Sequence, residues 1–225
     1  MNVAVLSDFA TQRQTMVDCQ IRTFDVTDQT VISRFLDVAR ERFVPSSLQS
    51  LVYSDAALEL RAEGETRTML APLVLARMIQ GARVEASDRV LDIAGGAGYS
   101  AALLAGLAKE VVALESIASL STQAAANLAA AGVTNAKAVS GPLDGASVSG
   151  VFDLIFVNGA VEEGLEPLLA KLAPGGRLIA VRKIAGHAGK VTRFEKVAGE
   201  TSHRILFDAA APVLDAFARR PAFVF

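Results

Sequence analysis

Residues 90–115, VLDIAGGAGYSAALLAGLAKEVVALE, constrain the fold more than any other stretch of this chain. Val90 to Ile93 make an apolar run of strand length; Gly95, Gly96 and Gly98 follow; small residues from Tyr99 lead into a second apolar strand ending at Glu115. Strand, glycine turn and helix in this order form a parallel βαβ unit whose turn lets the backbone approach a ligand closely. An acid at the end of the second strand sits where sheets of this kind bind a ribose diol. The pattern points to a site for a nucleoside-bearing cofactor. A tight strand-to-helix connection with no ligand is the plainer reading, and Asp92 together with Glu115 weighs against it.

The charge of the turn bears on which cofactor. Asp92 ends the first strand, and Ala94 stands where a first glycine is expected. A carboxylate there repels a pyrophosphate and attracts an ammonium or a sulfonium. S-adenosylmethionine (SAM) fits this better than NAD, which leaves an NAD-dependent oxidoreductase as the weaker reading.

The chain has 225 residues, enough for one α/β domain, and no linker composition divides it. Its 22 basic and 24 acidic residues give no electrostatic case for nucleic acid. Apolar residues make up 52% of the chain, but in short runs, none reaching the roughly 18 residues that span a bilayer. MNVAVLSDF lacks the basic lead-in of an export signal, so a cytoplasmic protein without membrane attachment is expected. Cys19, His187 and His203 are too few for a metal site, and Cys19 is expected to be a buried small hydrophobe.

Two helices are expected in Ser7–Phe24 and from a cap at Thr27 or Asp28 through Val31, Phe35, Val38 and Phe43, ending at Val44-Pro45. Residues 46–67 read as loop with a little strand at Leu58-Glu59-Leu60, and Pro72 opens a helix that Gly81 stops. Strands are expected at 89–94, 110–114, 136–140, 152–157 and 177–182, with helices beginning near Tyr99, Ile117 and Glu162. Val191–Val197 and Arg204–Phe207 form an antiparallel finish, and Pro212–Phe225 closes the edge.

MVDCQIRTFDVTDQTVISRFLDVARERFVP (16–45), YSDAALEL (53–60), TMLAPLVLARM (68–78), VLDIAGGAGYSAA (90–102), VVALES (111–116), FDLIFVNGA (152–160) and LAPGGRLI (172–179) follow one another in order. With them the chain resembles the protein-L-isoaspartate O-methyltransferase family, whose corresponding motifs include YxDxxLxI, TISxPxxxAxM and VLEIGTGSGYxAA. The resemblance implies an α/β fold with a doubly wound, mostly parallel sheet of the class I SAM-dependent methyltransferase type. It adds an N-terminal helical cap and antiparallel C-terminal strands, all in a single domain over 1–225. Residues 1–80 would form the cap and substrate-side loop, and 81–225 the SAM-binding core.

The implied activity is transfer of a methyl group from SAM to a carboxylate of an isoaspartyl peptide or related substrate. This needs positioning and exclusion of water more than a general base. By resemblance Asp92 and Ala94 adjoin the methionine moiety, the amides of Gly96 and Gly98 line the turn, Glu115 takes the ribose, and Gly141, Pro142 and Leu143 flank the adenine. Thr68 and Leu70 would face the substrate and Asn158 the transferred methyl, although Asn158 also reads as a strand-end turn former. Asp55 reads as a loop hydrogen-bonder.

Three positions depart from the family pattern. Leu70 replaces the serine of TIS, Pro142 replaces the acid of GDG, with Asp144 two residues on, and Ala94 replaces a glycine. Leu70 and Pro142 support a second reading, a SAM-binding protein of the same fold with lost or altered activity that acts as a binding or regulatory module. The partner on the first reading is a protein or peptide substrate; the oligomeric state is left open.

Overall fold

The structure is a computed structural model that describes residues 3–184 and 186–219. Helix α1 (Val3–Met16) runs into one π-helical turn at Val17–Ile21. That turn buries Val17 and Ile21 and leaves Cys19 exposed, which corrects the expected buried thiol: the wider turn rotates position 19 to the solvent side. Helix α2 (Gln29–Asp37) is capped by Asp28, whose carboxylate accepts from the amides of Thr30 at 2.8 Å and Val31 at 3.2 Å. It ends before the expected Val44-Pro45, because Val38 is extended and Arg40–Phe43 make a separate 3-10 turn. Val31, Phe35, Val38 and Phe43 are all buried, as their spacing requires.

Strands β1 (Leu58–Ala62) and β2 (Glu65–Met69) form an antiparallel hairpin across Glu63-Gly64, both at positive φ. Leu60 faces Arg67 and Leu58 faces Met69, so these four side chains share the inward face. Helix α3 (Pro72–Ala82) starts at the expected proline but runs through Gly81. Its left-handed stop is Arg83, at φ 52°, not the glycine. Gly81 serves close packing instead, since a Cβ there would lie 2.7 Å from Leu206.

The core follows as β3 (Arg89–Ile93), α4 (Tyr99–Ala105), β4 (Glu110–Glu115), α5 (Ala118–Ala130), β5 (Ala136–Ser140), β6 (Phe152–Val161), α6 (Glu166–Ala170), β7 (Leu172–Arg182), β8 (Lys190–Val197) and β9 (Glu200–Asp208). The seven-stranded sheet has the order β5-β4-β3-β6-β7-β8-β9. The first five strands pair in parallel and the last two antiparallel, the doubly wound mixed sheet that was expected. Helix α6 begins four residues later than anticipated. Among the described residues the sheet edge is β9, and the described part of the segment from Pro212 does not close it. Val213 bridges Ala160, and Leu214 packs where a Cβ on Gly159 would lie 2.7 Å away. Residues 220–225 of that segment lie outside the described residues.

The cap is fastened to the core through Tyr99 at the start of α4. Phe35 and Phe43 meet its ring with centroids 6.3 and 5.6 Å away, and the Arg40 guanidinium lies 4.9 Å over it. Arg40 is fully buried, donating to the carbonyls of Val52 and Leu70, each at 2.9 Å, and burial lowers its pKa. Among the described residues no helix is long and apolar enough to cross a membrane.

Candidate functional site

The direction of the crossovers reverses at β3, with β4 and β5 on one side and β6 and β7 on the other. Open α/β sheets bind ligands at the carboxyl ends of the strands flanking such a reversal. Asp92 of β3 and Asn158 of β6 straddle it: Asn158 Nδ2 donates to Asp92 Oδ1 at 2.7 Å and to the Ile93 carbonyl at 2.9 Å. Ser100 Oγ, from the first turn of α4, donates to Asp92 Oδ2 at 2.7 Å. Asp92 has no exposed surface, and burial pushes its pKa up to about 6 against the pull of these two donors.

The turn above Asp92 is shaped by a left-handed residue and a close approach. Ala94 adopts φ 57° with no exposed surface, a conformation that costs a residue bearing a Cβ about 1–2 kcal/mol. A Cβ on Gly95 would lie 2.5 Å from Asp92 Oδ2 and 2.6 Å from Ser100 Oγ, so only glycine lets the chain settle on the carboxylate. The amides expected to line the turn donate within the protein: Gly96 to Glu115 Oε2 at 3.1 Å, and Gly98 to the Gly95 carbonyl at 3.2 Å.

Glu115 ends β4 beside this turn, but its oxygens are saturated. Arg67 Nε reaches Oε1 at 3.0 Å and Oε2 at 3.1 Å, Arg67 Nη2 reaches Oε1 at 2.7 Å, and the amides of Gly96 and Ile117 take the remaining positions at 3.1 Å. Arg67 is bound further by Ser116 Oγ, to which its Nη2 donates at 2.8 Å. Arg67 and its cross-strand partner Leu60 lie directly over Gly96. The side chains of Arg67 and Glu115 are 6% and 3% exposed. Sequence reasoning missed Arg67. Its one signal is a charge two residues before the apolar Met69, on the face that the hairpin turns inward.

The remaining candidates divide. Thr68 and Asn158 border one small recess, of about 30 Å³, together with Arg67, Val213 and Leu214; the last two come from a C-terminal segment to which the sequence assigned no role in the site. Leu70 is not there: its side chain is 2% exposed in the hydrophobic core, and only its carbonyl is engaged, by Arg40. At the end of β5, Gly141 is half-buried and Pro142 exposed, and Leu143 is buried in the core cluster with Leu91 and Leu114. Asp144 accepts from the Ala146 amide at 2.8 Å, capping its own turn rather than reaching inward. Asp55 is exposed, its Oδ1 3.5 Å from the Leu73 amide.

A doubly wound sheet with a carboxylate at the end of each of its first two parallel strands defines a domain of the class I methyltransferase fold. The chain matches, over residues 11–210, the family described as Protein-L-isoaspartate(D-aspartate) O-methyltransferase (PCMT). It is 38% identical over 170 residues to the protein-L-isoaspartate O-methyltransferase of Methanoculleus marisnigri, covering 75% of this chain and 76% of the relative. Over 174 residues it is 36% identical to protein-L-isoaspartate O-methyltransferase 1 of Rhodopseudomonas palustris, covering 77% and 70%. This chain therefore belongs to the protein-L-isoaspartate O-methyltransferase family. Among solved structures, a protein-L-isoaspartate O-methyltransferase superposes with a TM-score of 0.79 at 25% identity, over 90% of this chain and 65% of that one. A putative Plasmodium falciparum family member, solved in complex with S-adenosyl-L-homocysteine, superposes with a TM-score of 0.74 at 20% identity and shares the fold over 92% of this chain and 98% of its own.

Proposed function

We propose that this chain is a SAM-dependent carboxyl methyltransferase that acts on an isoaspartyl residue, or a chemically related carboxylate, in a protein or peptide. The observation that carries the reading is the buried Asp92, held by Ser100 and Asn158 at the reversal of the sheet and one strand from Glu115. A carboxyl with a pKa of about 6 inside the protein is stabilised as an anion by a cation brought beside it. The donor set fits SAM once the Arg67–Glu115 pair opens: Asp92 toward its cationic methionine end, Glu115 toward its ribose, and Gly141, Pro142 and Leu143 beside its adenine. Bound SAM would supply an electrophilic methyl group.

What the chain itself contributes is position and dryness. Asn158 fixes the Asp92 carboxylate in one orientation, and the hairpin with Arg67 and Leu60 keeps water from the turn. Thr68 offers a hydroxyl in the recess that Asn158 shares, and is the polar contact toward an acceptor carboxylate. The cap (1–80) and core (81–225) act as one domain. A cytoplasmic setting belongs to the same reading, since a reducing compartment keeps an exposed thiol such as Cys19 reduced.

The test pairs calorimetry with SAM against transfer of a labelled methyl group to an isoaspartyl peptide and its aspartyl isomer. Methylation of the isoaspartyl peptide alone is the expected result; SAM binding without transfer to either peptide would overturn the assignment. The second reading, a SAM-binding regulatory module, is favoured by one specific observation, the Arg67–Glu115 pair that occupies the proposed ribose carboxylate.

A further inference from the structure

A second cleft, of about 290 Å³, lies toward the far edge of the sheet, where the end of α3 meets β8 and β9. Four arginines line it: Arg77 and Arg83 from α3 and its cap, Arg193 from β8 and Arg204 from β9. Arg193 and Arg204 stand directly opposite each other in the antiparallel ladder. Like charges in that relation are destabilising, so folding alone gives no reason for the pairing.

Among the described residues, the protein's own anions do not neutralise the cluster. Asp25, the acid lining the cleft, has a side chain 89% exposed and 3.9 Å from Arg77, while Glu195 takes Arg193 Nη2 at 2.6 Å. Four guanidiniums against these two carboxylates leave two positive charges. Among the described residues Arg83 and Arg204 pair with no carboxylate. Arg193 is 6% exposed; its Nη1 donates to the Gly81 carbonyl at 2.8 Å, and its buried Nε has no acceptor. A buried donor left unmet costs roughly 1–3 kcal/mol, which an acceptor arriving from outside would recover. Arg77 is held in place by stacking 4.0 Å over Phe207.

We infer that this cleft binds a compact, multiply charged oxyanion, the phosphate or pyrophosphate group of a small molecule. Guanidinium forks present paired donors that match phosphate oxygens, and a phosphate group brings the two negative charges the cluster lacks. The site is separate from the crevice. Asp92, Phe156, Ile179 and Arg193 lie in one row across the sheet, three strand spacings or about 14 Å from first to last. Arg193 is thus remote from the methyl-transfer end, and the inference does not rest on the function proposed there.

The experiment is calorimetric titration of the full chain with inorganic pyrophosphate at low ionic strength, with citrate in parallel as a tricarboxylate. Saturable one-to-one binding of pyrophosphate, weakened at least fivefold in Arg83→Ser and in Arg204→Ser and lost in the double variant, is the expected result. Both residues are exposed, so the variants should fold, and without anion Arg204→Ser should melt no lower than the wild type. Absence of pyrophosphate binding, or binding that survives the double substitution, would overturn the site. Citrate binding as tightly as pyrophosphate would overturn the assignment to phosphate.

Discussion

The glycine turn after β3 and the hairpin above it meet at Gly96, yet their side chains do opposite things there. The turn is made of small residues pressed onto Asp92, and its strained Ala94 and close-packed Gly95 have no role in a closed core that a plainer loop would not fill. The hairpin presses a leucine and an arginine down onto the same turn, and its arginine, with the amides of Gly96 and Ile117, satisfies Glu115 completely. A floor with a close-packed turn lies under a roof that occupies Glu115, the carboxylate proposed for the ribose. The family's glycine-turn motif matches the floor except at Ala94, while the departure at Leu70 lies just beyond the roof. Substitutions in the floor and in the roof are therefore expected to act differently on SAM binding and on methyl transfer.

The largest effect is expected from Glu115→Ala, which strands the buried Arg67 without its partner. Loss of one partner of a buried pair costs about 3–5 kcal/mol, so denaturant unfolding should show a loss of that order and SAM binding should weaken at least tenfold. Unchanged values in both measurements would mean that floor and roof are not joined through this carboxylate. Next, Leu70→Ser should cost about 2–4 kcal/mol in the same unfolding assay. It should not raise methyl transfer, because the new hydroxyl would face the core where Leu70 now packs. A gain of isoaspartyl activity would show that the roof turns this residue toward the acceptor.

Arg67→Gln removes the competing charge but keeps a donor for Glu115, and SAM should bind about tenfold more tightly, close to 1.4 kcal/mol; equal affinity by calorimetry would make the ion pair a bystander. Protonation should act on the floor alone. With Asp92 titrating near 6, SAM affinity should fall roughly tenfold between pH 7 and pH 5, while the uncharged thioether product loses less. For folding the sign is opposite. A carboxyl at about 4 in the unfolded chain and about 6 in the fold contributes stability that is fully present below pH 4 and lost as pH rises through 6. The smallest effect belongs to Ala94→Gly, which should relieve the left-handed strain and stabilise the fold by up to about 1 kcal/mol in thermal unfolding.

The floor was legible in the sequence because its determinants are local: an apolar run, a cluster of glycines and an acid at each strand end, within 26 consecutive residues. The roof was not. ETRTM carries too little apolar periodicity to read as a strand, and the reason Arg67 can be buried is a carboxylate 48 positions away. Leu70 was read by motif position as facing the substrate, and only the packing of the chain after β2 shows that it points into the core. Ser100 and Leu214 went unnoticed for the same reason, since each acquires meaning only from what the fold places against it.

Arg40 gives the hairpin one more property. By donating to the carbonyls of Val52, before β1, and Leu70, after β2, one guanidinium clasps both ends of the hairpin's base. At the tip, Glu63 accepts from the Ser119 amide at 2.7 Å at the start of α5. The hairpin is thus held at its base by Arg40, at its middle by the Arg67–Glu115 pair and at its tip by Glu63. If SAM must displace these contacts to reach Glu115, its entry is expected to wait on their breaking. In stopped-flow mixing with SAM, the observed rate should level off as concentration rises, and the plateau should quicken when Glu63 is replaced by alanine.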